Sequence, residues 1–159
     1  SFLGVFDAAT AVIRQGGRRR GANMGVLRVD HPDIFEFAAA KRDPDRIANF
    51  NLSVAATDAF FEAVAAGKDF DLVNPRDGRV ARSVPAAELL EAIAAAAWAT
   101  GDPGVLFLDA IERENPTPAQ GPIEATNPCG EQPLLPNESC NLGSLRLDAF
   151  ATGGAIGGL

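Results

Sequence analysis

A chain of 159 residues, 47% of them hydrophobic, is long enough to bury one core, and its net charge of −7 argues against a surface that binds nucleic acid directly. Two cysteines exclude a disulfide-stapled secreted class and fit a reducing cytoplasm. No apolar run approaches membrane-spanning length, and no signal peptide opens the sequence.

Residues 3–14 put Leu3, Phe6, Ala9, Ala11, Val12 and Ile13 largely on one helical side, predicting a helix ended by Gly16-Gly17. Arg18-Arg19-Arg20-Gly21 then forms a basic loop. Such a charge run is ordinarily a solvated turn, but arginine forks and Gly-exposed amides also suit phosphate or a base edge. Met24 to Val29 reads as a buried strand. Asp30 can cap the helix that follows, with Pro32 in its first turn, which places His31 at a helix start in a surface or capping role. The helix IFEFAAAK should bury Ile34, Phe35 and Phe37 and end before Asp43-Pro44.

Asn49 to Ala55 alternates as a strand does, and Thr57 should cap a helix terminated by Gly67. Asn49 and Asn51 are polar positions in that strand. They suit either a ligand or the satisfaction of nearby backbone. FDLV, Asn74-Pro75-Arg76-Asp77-Gly78 and RVARS predict a hairpin. Pro85 opens a long helix stopped by Gly101, with Trp98 expected in the core. Val105 to Leu108 reads as a short buried strand, 109–118 as a polar loop, and 142–147 as the start of another strand. Strands at 24–29, 49–55 and 105–108 separated by helices predict an α/β fold with right-handed crossovers.

The most informative stretch is TNPCGEQPLLPNESCNLGSL. Asn127, Cys129 and Glu131 alternate with Pro128 and Gly130. In an extended backbone an amide, a thiol and a carboxylate would share one face. Pro128 biases Asn127 towards extension, and Gly130 would let a ligand approach the backbone. The second cysteine, Cys140, lies eleven positions on. A lone buried cysteine is ordinarily a small hydrophobe, and two without nearby histidines make a poor zinc site. A thiol between amide and carboxylate, with a second thiol close by, suits redox or radical work.

That stretch, with QGGRRRGANMGVLRVDHPDIFEF and NFNLSV, resembles the large chains of ribonucleotide reductases, most closely their adenosylcobalamin-dependent branch. The resemblance covers nearly the whole chain and implies a ten-stranded α/β barrel with the thiol loop at its centre. Residues 1–159 would then be one fragment of the catalytic barrel domain, a partial arc. The opening at Ser1 and the Gly-rich close ATGGAIGGL agree with a piece of a longer protein. The resemblance makes Cys129 the thiyl that takes the 3′-hydrogen, Glu131 the base at the 3′-hydroxyl, and Asn127 the group that orients the ribose. Cys140 becomes one of two reducing thiols, its partner upstream of Ser1, with the substrate-phosphate loop downstream of Leu159. The fragment alone is therefore expected to be inactive. Gln15, Arg18 and Arg19 fall on the loop that links the effector site to the active site. Implied partners are ribonucleoside di- or triphosphates, deoxynucleoside triphosphate effectors, a thioredoxin-type dithiol and a homodimer mate. The alternatives are a large chain served by a separate metal-bearing radical subunit, and a non-catalytic nucleotide-binding fragment.

Overall fold

The computed structural model describes residues 2–15, 19–43, 45–152 and 155–156. Helix α1 (Leu3–Val12) leads into a short antiparallel ladder of β1 (Arg14–Gln15) and β2 (Arg19–Arg20). Strand β3 (Asn23–Arg28) follows, then α2 (Ile34–Ala38), β4 (Phe50–Ala56) and α3 (Asp58–Ala65). A hairpin of β5 (Asp69–Val73) and β6 (Val80–Pro85) precedes α4 (Ala86–Thr100), β7 (Gly104–Phe107) and α5 (Leu108–Arg113). Two further short ladders close the chain, β8 (Ala125–Thr126) with β9 (Pro133–Leu134), and β10 (Ala151–Thr152) with β11 (Ala155–Ile156). Among the described residues no helix is long and apolar enough to cross a membrane.

The frame of the molecule is a parallel sheet in the order β3-β4-β7. β4 is central and almost wholly buried, with polar Asn51 and Ser53 alternating with Leu52 and Val54 at its start and an apolar run Val54-Ala55-Ala56 at its end. Its alternate residues Leu52, Val54 and Ala56 are buried on the helical side. The main core joins Val54 and Ala56 to Ile34 of α2, Phe60 of α3, Leu72 of β5, and Leu89 and Ile93 of α4. Phe60 is 1% exposed and meets Phe70 edge-to-face at 5.2 Å. The local signals that set the helices are those the sequence announces. Thr57 Oγ1 accepts the Phe60 amide at 3.3 Å, Pro85 precedes α4, and Gly101 ends α4 in the left-handed region.

Several expectations fail, each for an identifiable reason. Helix α1 stops at Val12, and β1 pairs with β2 where a basic loop was expected, Gln15 opposite Arg19. Arg18 and the stop signal Gly16-Gly17 lie outside the described residues. Asp30 does not cap α2, because its carboxylate is taken by Arg28 at 2.7 Å and the helix begins only at Ile34. That hydrogen bond holds the Arg28 guanidinium above its ordinary pKa, with burial opposing. His31 does play a local capping part, Nδ1 accepting the Asp33 amide at 3.1 Å. Trp98 is 93% exposed. The buried stripe of α4 runs Ala86, Leu89, Ile93, Ala96, and position 98 lies on the opposite side of the helix. β7 is an exposed edge strand rather than a buried one, since among the described residues it pairs with β4 alone. The polar run after it begins as α5, tied to α3 by Arg113 on Asp58 at 2.6 Å. Residues 142–147 form no strand, and Leu142 and Leu145 are exposed.

Candidate active site

The thiol loop lies over the sheet face that the helices leave free. On β4, Asn51 and Ser53 point away from the Leu52–Val54–Ala56 face. β8 packs beside β3, and the loop between β8 and β9 reaches Asn51. Pro128, Cys129 and Gly130 line a cleft of about 440 Å3 with Met24, Asn51 and Ser53. The cleft opens at the amino-terminal ends of β3, β4 and β7, whereas open α/β sheets ordinarily bind ligands at the carboxyl ends. Cys129 is exposed, Cys140 half-buried, and both thiols are free.

Residues 127–131 are not extended. Pro128 and Cys129 form the corner of a tight turn in which the Gly130 amide donates to the Asn127 carbonyl at 2.9 Å. The hairpin register draws the chain back on itself. The Asn127 amide donates to the Gln132 carbonyl at 3.2 Å, and Asn127 Oδ1 accepts the Gln132 amide at 3.0 Å. Asn127 is consequently buried, while Cys129 and Glu131 are exposed. The three side chains do not share a face as alternation required, and of the four loop residues singled out only Cys129 lines the cleft. Asn127 keeps its Nδ2 without a hydrogen-bond partner among the described residues.

Gly130 also has a conformational role in the turn. Its φ is +82°, and a Cβ built there meets nothing within 4 Å. No neighbouring protein group requires glycine there, so its conformation does. Gly130→Ala should therefore cost about 1–2 kcal/mol in the turn alone. Hydrogen exchange of the residue-130 amide should accelerate about tenfold or more. Unchanged exchange would mean that the turn does not depend on the left-handed residue.

Three residues that sequence reasoning gave no site role hold the floor of the cleft. β4 starts before β7, since their pairing begins at Ser53 opposite Gly104, so the Leu52 amide has no strand on that side. Asp102 takes the strand's place, Oδ1 accepting the Leu52 amide at 3.1 Å. Its Oδ2 pairs with Lys41 Nζ at 3.2 Å, and Lys41 also donates to the Phe50 carbonyl. Thr100 Oγ1 fixes the turn by donating to the Asp102 carbonyl at 2.9 Å. The sequence does signal Asp102, which follows the helix-stopping Gly101 and precedes Pro103, but nothing local marks Lys41. Asn49 is spent on structure, its side-chain Nδ2 donating to the Asp7 carbonyl at 3.2 Å and its backbone amide to Asp7 Oδ1 at 2.8 Å. A larger cleft of about 770 Å3, beside Phe107, Ile111 and Leu135, is mainly apolar and contains none of the expected catalytic side chains.

A family profile described as "Ribonucleotide reductase, barrel domain" matches residues 1–156. A protein of Mycobacterium tuberculosis (strain CDC 1551 / Oshkosh), named vitamin B12-dependent ribonucleoside-diphosphate reductase, is 55% identical over 157 residues, covering 98% of this chain and 23% of that protein. A Thermoplasma acidophilum protein of the same name is 52% identical across 97% of this chain and 20% of its own length. A vitamin B12-dependent ribonucleotide reductase of Streptomyces avermitilis is 37% identical across 94% of this chain and 18% of its length. The chain thus spans about a fifth of these relatives.

Proposed function

Because this chain belongs to the ribonucleotide reductase barrel-domain family, we propose that the complete protein reduces ribonucleotides to 2′-deoxyribonucleotides by thiyl-radical chemistry. The observation that carries this is the exposed, free Cys129 thiol on a fixed turn, lining a cleft on the helix-free face of the sheet. Three parallel strands with helices on one face and the thiol loop on the other suit one arc of an α/β barrel whose interior is the loop side.

The complete enzyme takes adenosylcobalamin as its radical source. Among the described residues no group of three His, Cys, Asp or Glu could hold a metal ion, and His31 is engaged with the Asp33 amide. From the Cys129 thiyl, hydrogen abstraction at the ribose 3′ carbon leaves a substrate radical and a thiol. Glu131, exposed beside the turn, accepts the 3′-hydroxyl proton, which helps the neighbouring 2′-hydroxyl depart as water. Asn127 Nδ2 is free to donate to a ribose hydroxyl while Oδ1 stays on Gln132. Cys140 and a second thiol supply two electrons and two protons, closing a disulfide, after which the 3′-hydrogen returns from Cys129. A thioredoxin-type dithiol then reopens that disulfide. Bringing Glu131 to the cleft requires its exposed side chain to turn inward once nucleotide is bound. The test is turnover of the complete protein on ribonucleoside di- and triphosphates, with adenosylcobalamin and a dithiol. No deoxynucleotide from any of them would reject the reading.

Gln15, Arg18 and Arg19 form the segment proposed to pass the identity of a bound deoxynucleoside triphosphate, across a homodimer, to the substrate base. Replacing Arg19 with Ala in the complete enzyme should change effector-dependent substrate preference about five- to tenfold, the range of a weak coupling energy, and leave effector-free turnover nearly intact. Rates on four ribonucleotides with and without effectors decide it. An unaltered preference pattern would make the segment a solvated turn.

A further inference from the structure

We infer that Asn51 is a positioning residue for the Cys129 thiol, acting through the Pro128 carbonyl. This rests on the reading of Cys129 as the reactive group and adds a residue outside the loop that aims it. Asn51 Nδ2 donates to the Pro128 oxygen at 2.5 Å, a contact between residues 77 positions apart, and both Asn51 and Cys129 line the cleft.

The mechanical reason is the planarity of the peptide unit. The Pro128 carbonyl and the Cys129 amide lie in one plane, so a donor that fixes the oxygen fixes the plane from which the Cys129 side chain departs. Pro128 limits its own φ through its ring, and the Gly130 amide on the Asn127 carbonyl closes the far side of the turn. With Asn51 in place, the thiol keeps little freedom beyond its own side-chain rotation.

Asn51 can do this because its strand is itself fixed. The residues on either side are pinned at the end of β4, the Phe50 carbonyl by Lys41 and the Leu52 amide by Asp102, with the Lys41–Asp102 ion pair joining the two. Those two side chains are only 16% and 20% exposed, so the pair is partly shielded from solvent. Among the described residues neither hydrogen-bonds to Cys129. They hold the strand, and among the described residues Asn51 makes the side-chain hydrogen bond from it to the thiol loop.

The experiment compares Asn51→Asp, which keeps the shape and replaces the donor by an acceptor, with Asn51→Ala and Asn51→Gln in the complete enzyme. Misplacing a reacting group by about 1 Å can cost about 10²-fold in rate. Asn51→Asp and Asn51→Ala should therefore lose about ten- to a hundredfold in kcat, with nucleotide KM changed less than about threefold. Asn51→Gln, which retains an amide donor, should recover part of the loss. Independently of turnover, N-ethylmaleimide should label Cys129 several-fold faster in Asn51→Asp, read by mass spectrometry of its peptide. Unchanged kcat and unchanged labelling in both Asn51→Asp and Asn51→Ala would overturn the inference. Cys129→Ala separates the two layers. If it retains turnover, the reading of the thiol is wrong. If it is dead while the Asn51 variants match wild type, only the positioning role falls.

Discussion

Cys129→Ser in the complete enzyme is expected to abolish turnover, even a single turnover, while Cys140→Ser stops later in the cycle. Sulfur–hydrogen and activated ribose carbon–hydrogen bonds are similar in strength, which makes the first hydrogen transfer reversible. An oxygen–hydrogen bond is much stronger. Each ~1.4 kcal/mol added to a barrier is a factor of ten, so several such increments take the rate below detection. Nucleotide binding should survive in Cys129→Ser, because the turn is held by the Asn127 carbonyl, the Gly130 amide and Asn51, none of which involves the sulfur. On the proposed mechanism, Cys140→Ser would leave the thiyl and hydrogen abstraction intact and would remove one of the two electrons the reduction needs. Its product should be decomposed substrate or a stalled radical in place of deoxynucleotide. Equilibrium nucleotide binding and single-turnover product analysis on both variants check the difference.

Phe60→Ala should be the costliest single change in the described core. Phe60 is 1% exposed, joins α3 to the central strand, and packs against Phe61 and Phe70 with ring centroids at 5.4 and 5.2 Å. Truncating a buried phenylalanine loses its transfer free energy and leaves a cavity, about 3–5 kcal/mol together. The residue lies away from the cleft, so stability and chemistry should separate. The thermal transition should fall by several degrees, while kcat below that transition stays near wild type. An unchanged transition would mean that the α3–β5 core is not cooperative with the rest.

Elements whose signals are local were legible in the sequence. The buried run of β4, the Thr57 cap, the Asp77-Gly78 turn and the Pro85-to-Gly101 helix each depend on neighbours within a few residues. Misreadings arose where tertiary context decides. Trp98 carries the composition of a core residue, but only its angular position on α4 shows that it faces outward. Residues 142–147 have the composition of a strand and no ladder partner among the described residues. At the site, the geometry expected of the loop does not hold. Alternation across Asn127, Cys129 and Glu131 presumes an extended chain, whereas Gly130 in the left-handed region makes a turn and buries the Asn127 amide against Gln132. The contacts of Asn51 with Pro128, and of Lys41 with Asp102, span 77 and 61 positions (128 − 51 and 102 − 41) and could not be seen in any local window.

The most direct measurement follows tritium from the 3′ position of a ribonucleotide in the complete enzyme with adenosylcobalamin. Cys140→Ser should release or exchange the label although it makes no deoxynucleotide, and Cys129→Ser should release none. Label released by Cys129→Ser, or retained by a folded Cys140→Ser that binds nucleotide, would contradict the assignment of the radical to Cys129 and of the reduction to Cys140.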